Sequence, residues 1–383
     1  MAHTKILFQK VNNKISRYVF ENVNKRYFSS KSSRTFTHRN HFTFLVYCIL
    51  TQVKSLREGI DNFQSLENKL YYLGFSATPK LSTVSEANSK RTYKFYEELF
   101  SILLSDTHKK IKNKIKPIIK IMDSSIITVN HPKAEWAKYN SKINGIKIHV
   151  ILDYEKNLPV SADVTTGNIG DITIAKEKKF NKGDYFIGDR AYFKAKWLYK
   201  QHENGVKFII RLKKNIIYST LSTKVLADGN VREESKIQFI GDTSQEYSEN
   251  LRKITIFDKR KNETFDIITN DFETDVLELA NMYKKRWAIE LFFKWIKQNL
   301  KIKKFIGYSE NAIKLHIWIA MITYLIIWQI NQESKNQFTS MTKLLRYFKV
   351  RLFQPDLGSN YYKIIDKYKK PPNQILLFEE NST

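Results

Sequence analysis

The sequence predicts an α/β core set between helical regions, and three observations carry that reading. Short β-branched runs begin near Pro117 and give way to alternating strand and helix. The residues before them carry helical signals, and apolar helical segments return from about 275 to about 350. At 383 residues the chain can hold two or three domains and a sizeable core. The change of texture places boundaries at 1–112, 113–335 and 336–383.

In the first region FTFLVYCILTQV reads as an apolar helix, and STVSEANSKRTYKFYEELFSILLSD as one or two helices with a Ser/Thr cap. The region reads as a basic support domain or a DNA-binding one. No helix-turn-helix pattern is sharp enough to name. IIKIMDSSIITV, GIKIHVILD and LPVSADVT then read as a hairpin pair and a third strand. DYFIGDRAY is a strand ending in an acid, AYFKAKWLYKQHENG a helix closed by Gly205, and VKFIIRLK a further strand. Residues 212–272 lose that rhythm. Their runs KIQFIG, RKITIFD and ETFDIITN predict a β-rich insertion. The apolar segment Ile317–Ile330 is fourteen residues long, short of the roughly 20 a membrane span needs, and reads as a buried helix. No apolar signal core opens the chain, so a cytoplasmic location and no membrane partner are expected. The tail, with Gly358 and Pro371–Pro372, reads as peripheral.

Charge points to a polyanion. There are 65 Lys+Arg against 38 Asp+Glu, a net charge of +27, and the basic residues cluster in 1–60 and 284–314. The single cysteine, Cys48, lies in an apolar run and reads as a core thiol, which excludes an intramolecular disulfide and a cysteine zinc site. No P-loop or Rossmann glycine fingerprint is present, so no nucleotide cofactor is expected.

The most informative segment is YKKRWAIELFFKWIKQNLK, residues 283–301. Read as one helix, it places Tyr283, Arg286, Glu290, Lys297 and Lys301 within an arc of roughly 60°, with Lys294 and Gln298 at its edge. Ala288, Ile289, Leu291, Phe292, Trp295, Ile296 and Leu300 fill most of the rest. One reading is a solvated ladder of ion pairs such as Glu290–Lys294. The other is a carboxylate that holds a cation among side chains that hold an anion, as phosphodiester chemistry requires.

Four further acids interrupt or end apolar strands: Asp123, Asp153, Asp163 and Asp189. An acid in such a place is costly unless paired, hydrogen-bonded or metal-bound. Strand physics alone does not choose among them. Three carboxylates from two strands and a helix suit two Mg²⁺ or Mn²⁺ ions, which clamp the attacking and leaving oxygens of an in-line displacement at phosphorus.

The spacing Tyr283, two residues, Arg286, three residues, Glu290, six residues, Lys297 resembles the Y-R-E-K signature of IS4-family insertion-sequence transposases. With Asp123 in IMDSSII and Asp189 in GDRAY, the chain resembles a DDE transposase from about residue 40 to 335. The resemblance implies a ribonuclease H-like fold with a β insertion before the glutamate. It implies Asp123, Asp189 and Glu290 as catalytic metal ligands for two Mg²⁺ or Mn²⁺, and leaves Asp153 and Asp163 structural. Arg286 and Lys297 would hold phosphate, Tyr283 would orient a phosphate or Glu290, and Arg190, Lys294 and Lys301 would add DNA contacts. The implied activity is cleavage at transposon ends and strand transfer into target DNA. The implied partners are double-stranded DNA (terminal inverted repeats and target) and a second copy in a homodimeric synaptic complex, in the nucleoid of a bacterial cytoplasm. Relatives stack a flipped base on a tryptophan of the insertion. No Trp lies in 212–272 here, which leaves Tyr218, Phe239, Tyr247, Phe257 or Phe265 for that role. Two other readings are a nuclease of the same fold that does not join strands, and a non-catalytic DNA-binding inhibitor of transposition.

Overall fold

Hydroxyl side chains mark where several helices begin. The computed structural model describes residues 6–28, 35–111, 118–137, 139, 143–226, 229–302, 305–334 and 340–354. Among these, seven helices precede the first strand: α1 Leu7–Asn12, α2 Arg17–Tyr27, α3 His38–Thr51, α4 Leu56–Gln64, α5 Glu67–Leu70, α6 Leu81–Lys90 and α7 Tyr93–Lys110. Ser16, Thr37 and Ser55 accept from the main-chain N–H of Val19, Asn40 and Glu58, satisfying donors that the helix itself leaves open. In α3 only Arg39 and Thr51 escape burial. Cys48 is a buried thiol there, and burial pushes its pKa up.

The chain then builds β1 Ile119–Thr128, β2 Gly145–Asp153, β3 Leu158–Thr166, α8 Asp171–Lys176, β4 Tyr185–Gly188, α9 Ala195–Glu203 and β5 Lys207–Arg211. β1, β2 and β3 pair antiparallel, and β4 lies parallel to both β1 and β5. The order β3-β2-β1-β4-β5 is the ribonuclease H-like arrangement expected from the resemblance. Side chains alternate across it. Ile121, Ile127, Ile187 and Ile209 join the core of the helical body, while Met122, Phe186, Phe208 and Ile210 pack with α8 and α9.

The insertion extends this sheet. β6 Tyr218–Val225, β7 Val231–Phe239, α10 Asp242–Glu246, β8 Leu251–Asp258 and β9 Glu263–Thr269 follow, and β9 pairs with β5 to complete nine strands. The sequence reading had no counterpart for β6. Its residues YSTLSTKV are mostly polar and largely exposed at the sheet's outer edge, so no apolar alternation announces the strand.

α11 Val276–Lys284, α12 Trp287–Asn299, α13 Glu310–Glu333 and α14 Met341–Arg351 complete the described chain. The segment read as a fourteen-residue apolar helix is the middle of 24-residue α13, capped by Ser309 and buried without interruption from Ala312 to Ile330. Lys314 and His316, just before the apolar segment, are buried too, and Lys314 pairs with the exposed Glu310 at 2.6 Å. By length and composition α13 could cross a membrane, but its apolar window is wholly covered by the rest of the protein. α3, α6, α7, α14 and β3 pack around it. One continuous core therefore runs from the amino-terminal helices through α13 to β1 and β2. The expected tail beyond residue 354 lies outside the described residues.

Candidate active site

Strand register brings the first two acids together. The β1–β4 pairing runs from Ile119↔Tyr185 to Ile121↔Ile187, and two residues beyond the last pair stand Asp123 and Asp189. Adjacent strands lie about 4.8 Å apart, so both carboxylates leave the sheet at the same place. Asp123 shares strand parity with Ile121 and Ile127 and so faces the helical body. There Arg286, at the start of α12, reaches it: Nη1 lies 3.6 Å from Asp123 Oδ2, and Nη2 donates to Glu290 Oε1. One guanidinium thus bridges the strand acid and the helix acid.

Burial pushes the Asp123 carboxyl up to about 7. The Ser124 N–H (2.8 Å) and Arg286 oppose that rise, and the neighbouring charges of Asp189 and Glu290 add to it. Asp189 caps the 3-10 turn Arg190–Tyr192 by accepting from the Ala191 N–H at 2.7 Å. Among the described residues, no three His, Cys, Asp or Glu side chains are grouped closely enough to hold a metal ion. The acids come as a pair tied by arginine, with Asp189 alongside.

Beside the pair is a groove of about 340 Å³ lined by Asp123, Ser124, Ser125, Glu290, Phe293, Lys294, Lys297 and Gln298. Lys294 is exposed on it. Lys297 also faces it, but its ammonium donates to the Ile126 carbonyl at 3.0 Å, so it braces α12 against β1 as well. Arg190 is exposed directly after Asp189 and makes no ion pair among the described residues, so it is not a core pair.

The stripe differs from a single straight helix. Arg286 N–H bonds to Tyr283 O and Ile289 N–H to Arg286 O, three-residue steps that tighten the chain between α11 and α12. Tyr283 therefore belongs to α11. It is buried, with its ring 5.7 Å from Phe265; burial raises the pKa of its hydroxyl, and the nearby Arg286 charge opposes that rise. Lys301 leaves the stripe. α12 ends at Asn299, Lys301 takes a left-handed conformation, and its ammonium donates to Gln52 O at the end of α3. The apolar arc is also narrower than expected: Leu291 is half exposed, and Ile289, Phe292, Phe293 and Ile296 form the buried face.

Asp153 and Asp163 are held elsewhere, by Lys156 at 3.4 Å and Lys178 at 2.6 Å. Of the five aromatic candidates in the insertion, Phe239 and Tyr247 are core residues and present no face to a base. Phe265 lies between Arg211, 4.8 Å above its ring, and Tyr283. Sequence reasoning passed over Tyr192, whose buried hydroxyl has no partner among the described residues and feels the charges of Asp123, Asp171 and Asp189. Its place in GDRAY, three residues after the second acid, was the available signal.

Two carboxylates at adjacent strand ends of this sheet are thus faced by a glutamate on a later helix, with one arginine between the first and the last. A family profile described as "Transposase DDE domain" matches residues 114–326, and one described as "Domain of unknown function (DUF4372)" matches residues 3–76. A Geobacillus stearothermophilus protein named as a probable transposase for insertion sequence element IS5377 is 30% identical over 318 residues, 81% of either chain. A Synechocystis protein named as a transposase for insertion sequence element IS4SA is 26% identical over 281 residues, 70% of this chain and 77% of that one. A piggyBac transposase synaptic complex with hairpin DNA, solved by cryo-EM, aligns with 97% of this chain and 85% of its own at a TM-score of 0.43 and 11% identity. The chain belongs to the DDE transposase family and is a DNA transposase.

Proposed function

We propose that this chain cuts DNA at the ends of an insertion sequence and joins the freed end to target DNA, with Asp123, Asp189 and Glu290 holding divalent metal. The observation that carries the reading is the convergence of Asp123 and Glu290 on one cation, the Arg286 guanidinium, beside Asp189. Carboxylate oxygens that already share a positive charge suit a hard divalent ion. Asp123, Asp189 and Glu290 would hold Mg²⁺ or Mn²⁺, and such ions supply Lewis acidity at the scissile phosphate. Arg286 would then turn from the acids toward a phosphate, where a charged donor is strongest. Lys294 and Arg190 offer exposed cations on either side of the acids, and Lys297 fixes the helix that carries Glu290. A second copy of the chain, bringing two element ends together, completes the proposal.

End-labelled duplexes carrying the inverted repeats that flank the gene test it. With Mg²⁺, the protein should cleave at the repeat and join the label to a plasmid, and a chelator should stop both. Cleavage without joining would favour the nuclease reading. Binding without cleavage in Mg²⁺ or Mn²⁺ would favour the inhibitor.

A further inference from the structure

On the opposite side of the sheet from the acid pair, α8 and α9 enclose a cavity of about 740 Å³. Six lysines line it against one acid, Glu177. Two of the six are offset: Lys178 by Asp163 at 2.6 Å, and Lys194 by Glu246 at 3.7 Å. Lys176, Lys179, Lys196 and Lys200 are exposed and make no ion pair among the described residues. Four unpaired ammoniums against the one lining carboxylate leave the concavity net positive, and a polyanion relieves the repulsion among them.

The cavity's wall says which polyanion fits. Phe180 and Trp197 line it, but Trp197 is only 5% exposed and Phe180 is half buried under Lys120, so neither offers a face on which an unpaired base could stack. The buried Trp197 Nε1–H has no acceptor among the described residues. Lysine ammoniums are point charges without the fork that reads a guanine edge. Such a surface recognises the phosphate backbone of a duplex and not its sequence.

Topology makes it a second DNA surface. α12 packs with Ile121 and Ile187 on one face of the sheet, while Trp197 and Leu198 pack with Met122 and Phe186 on the other. Yet the two places are joined by a short run of chain. Asp189 caps the turn at Arg190–Tyr192, and α9, with Lys196 and Lys200 one turn apart, begins three residues later at Ala195. We propose that Lys176, Lys179, Lys196 and Lys200 hold the backbone of a second duplex, the target into which a cut end is joined. The choice of DNA and of target rests on the transposase reading above.

The test replaces all four lysines with Gln, alongside a version with all four as Arg. Both keep the fold if their melting matches the parent protein, as exposed sites permit. The first readout is anisotropy of a labelled duplex lacking any element end, between about 50 and 200 mM salt. The Gln version should bind roughly tenfold or more weaker, with a log–log salt slope shallower by roughly 3 to 4. The Arg version should bind as the parent does. The second readout is a cut end presented with a plasmid: joining should fall in the Gln version while cleavage of uncut ends persists. An unchanged affinity and slope overturns the proposal. So does an equal loss of end cleavage, which would make the patch part of end binding, and so does full displacement of the duplex by millimolar inorganic phosphate, which would make it a small-anion pocket. A parent protein that binds plain duplex through these lysines yet never cleaves would instead sink the transposase mechanism and leave the surface standing.

Discussion

The helical body and the acid-bearing sheet edge bury polar groups in opposite ways. Around α3 and α13 the buried histidines are neutral. His41 sits between Asn88 Oδ1 at 2.9 Å and the Tyr96 hydroxyl at 3.0 Å, and burial lowers it to about 3. His38, stacked on Phe28 with ring centroids 3.7 Å apart, and His316 are lowered to about 4, burial being the first cause in each. At the sheet edge, Asp123, Arg286 and Glu290 put charges of both signs side by side. The first arrangement fixes a shape. The second keeps charge available for exchange, at a cost in stability that the body around it offsets.

The largest expected effect breaks the body. Trp318→Ala, deep in α13, should cost about 3–5 kcal/mol, read as chemical denaturation. Leu291→Ala, half exposed on α12, should stay within about 0.5 kcal/mol. If the two cost the same, the contrast between the regions is wrong.

Acid should separate them next. A histidine lowered from 6.5 in the folded state contributes stability that is present above 6.5 and lost as pH falls toward its folded value. With His38 and His316 at about 4 and His41 at about 3, melting temperature should drop steadily between pH 6.5 and 4. His316→Leu should flatten part of that slope. An unchanged slope would mean that His316 is already partnered and titrates elsewhere.

Smaller still is the stability effect at the arginine. Arg286→Ala should impair end cleavage more than it lowers melting, because it removes one partly exposed bridge between two acids. Unfolding with full activity per folded molecule would restore the ion-pair-ladder reading. Lys301→Ala should touch cleavage least, since its ammonium is spent on the end of α3.

What the sequence made legible follows from the same contrast. Asp123, Asp189 and Glu290 were visible as acids in apolar settings, but Asp153 and Asp163 were equally so, and only the family resemblance chose among the four aspartates; the succession of strands followed from β-branched runs. Local pattern did not reveal where a helix tightens. The three-residue steps at Tyr283–Ile289 rotate Tyr283 onto α11, and the end of α12 at Asn299 sends Lys301 away. Both depend on what packs against the helix. Nor did periodicity show β6, whose side chains meet mostly solvent. The lysines of α8 and α9 were visible as charge, but only the fold gathers two separate stretches around one cavity.

The most direct measurement compares four isosteric changes for cleavage of a labelled element end in Mg²⁺, with end binding measured beside it. Asp123→Asn, Asp189→Asn and Glu290→Gln should each abolish cleavage, bind ends nearly as the parent does, and melt no lower, since each swaps a charge for an amide of the same shape. Asp153→Asn should cleave normally once folded, because its carboxylate is turned to Lys156. Loss of cleavage in Asp153→Asn with Asp123→Asn still active would contradict the account at its centre.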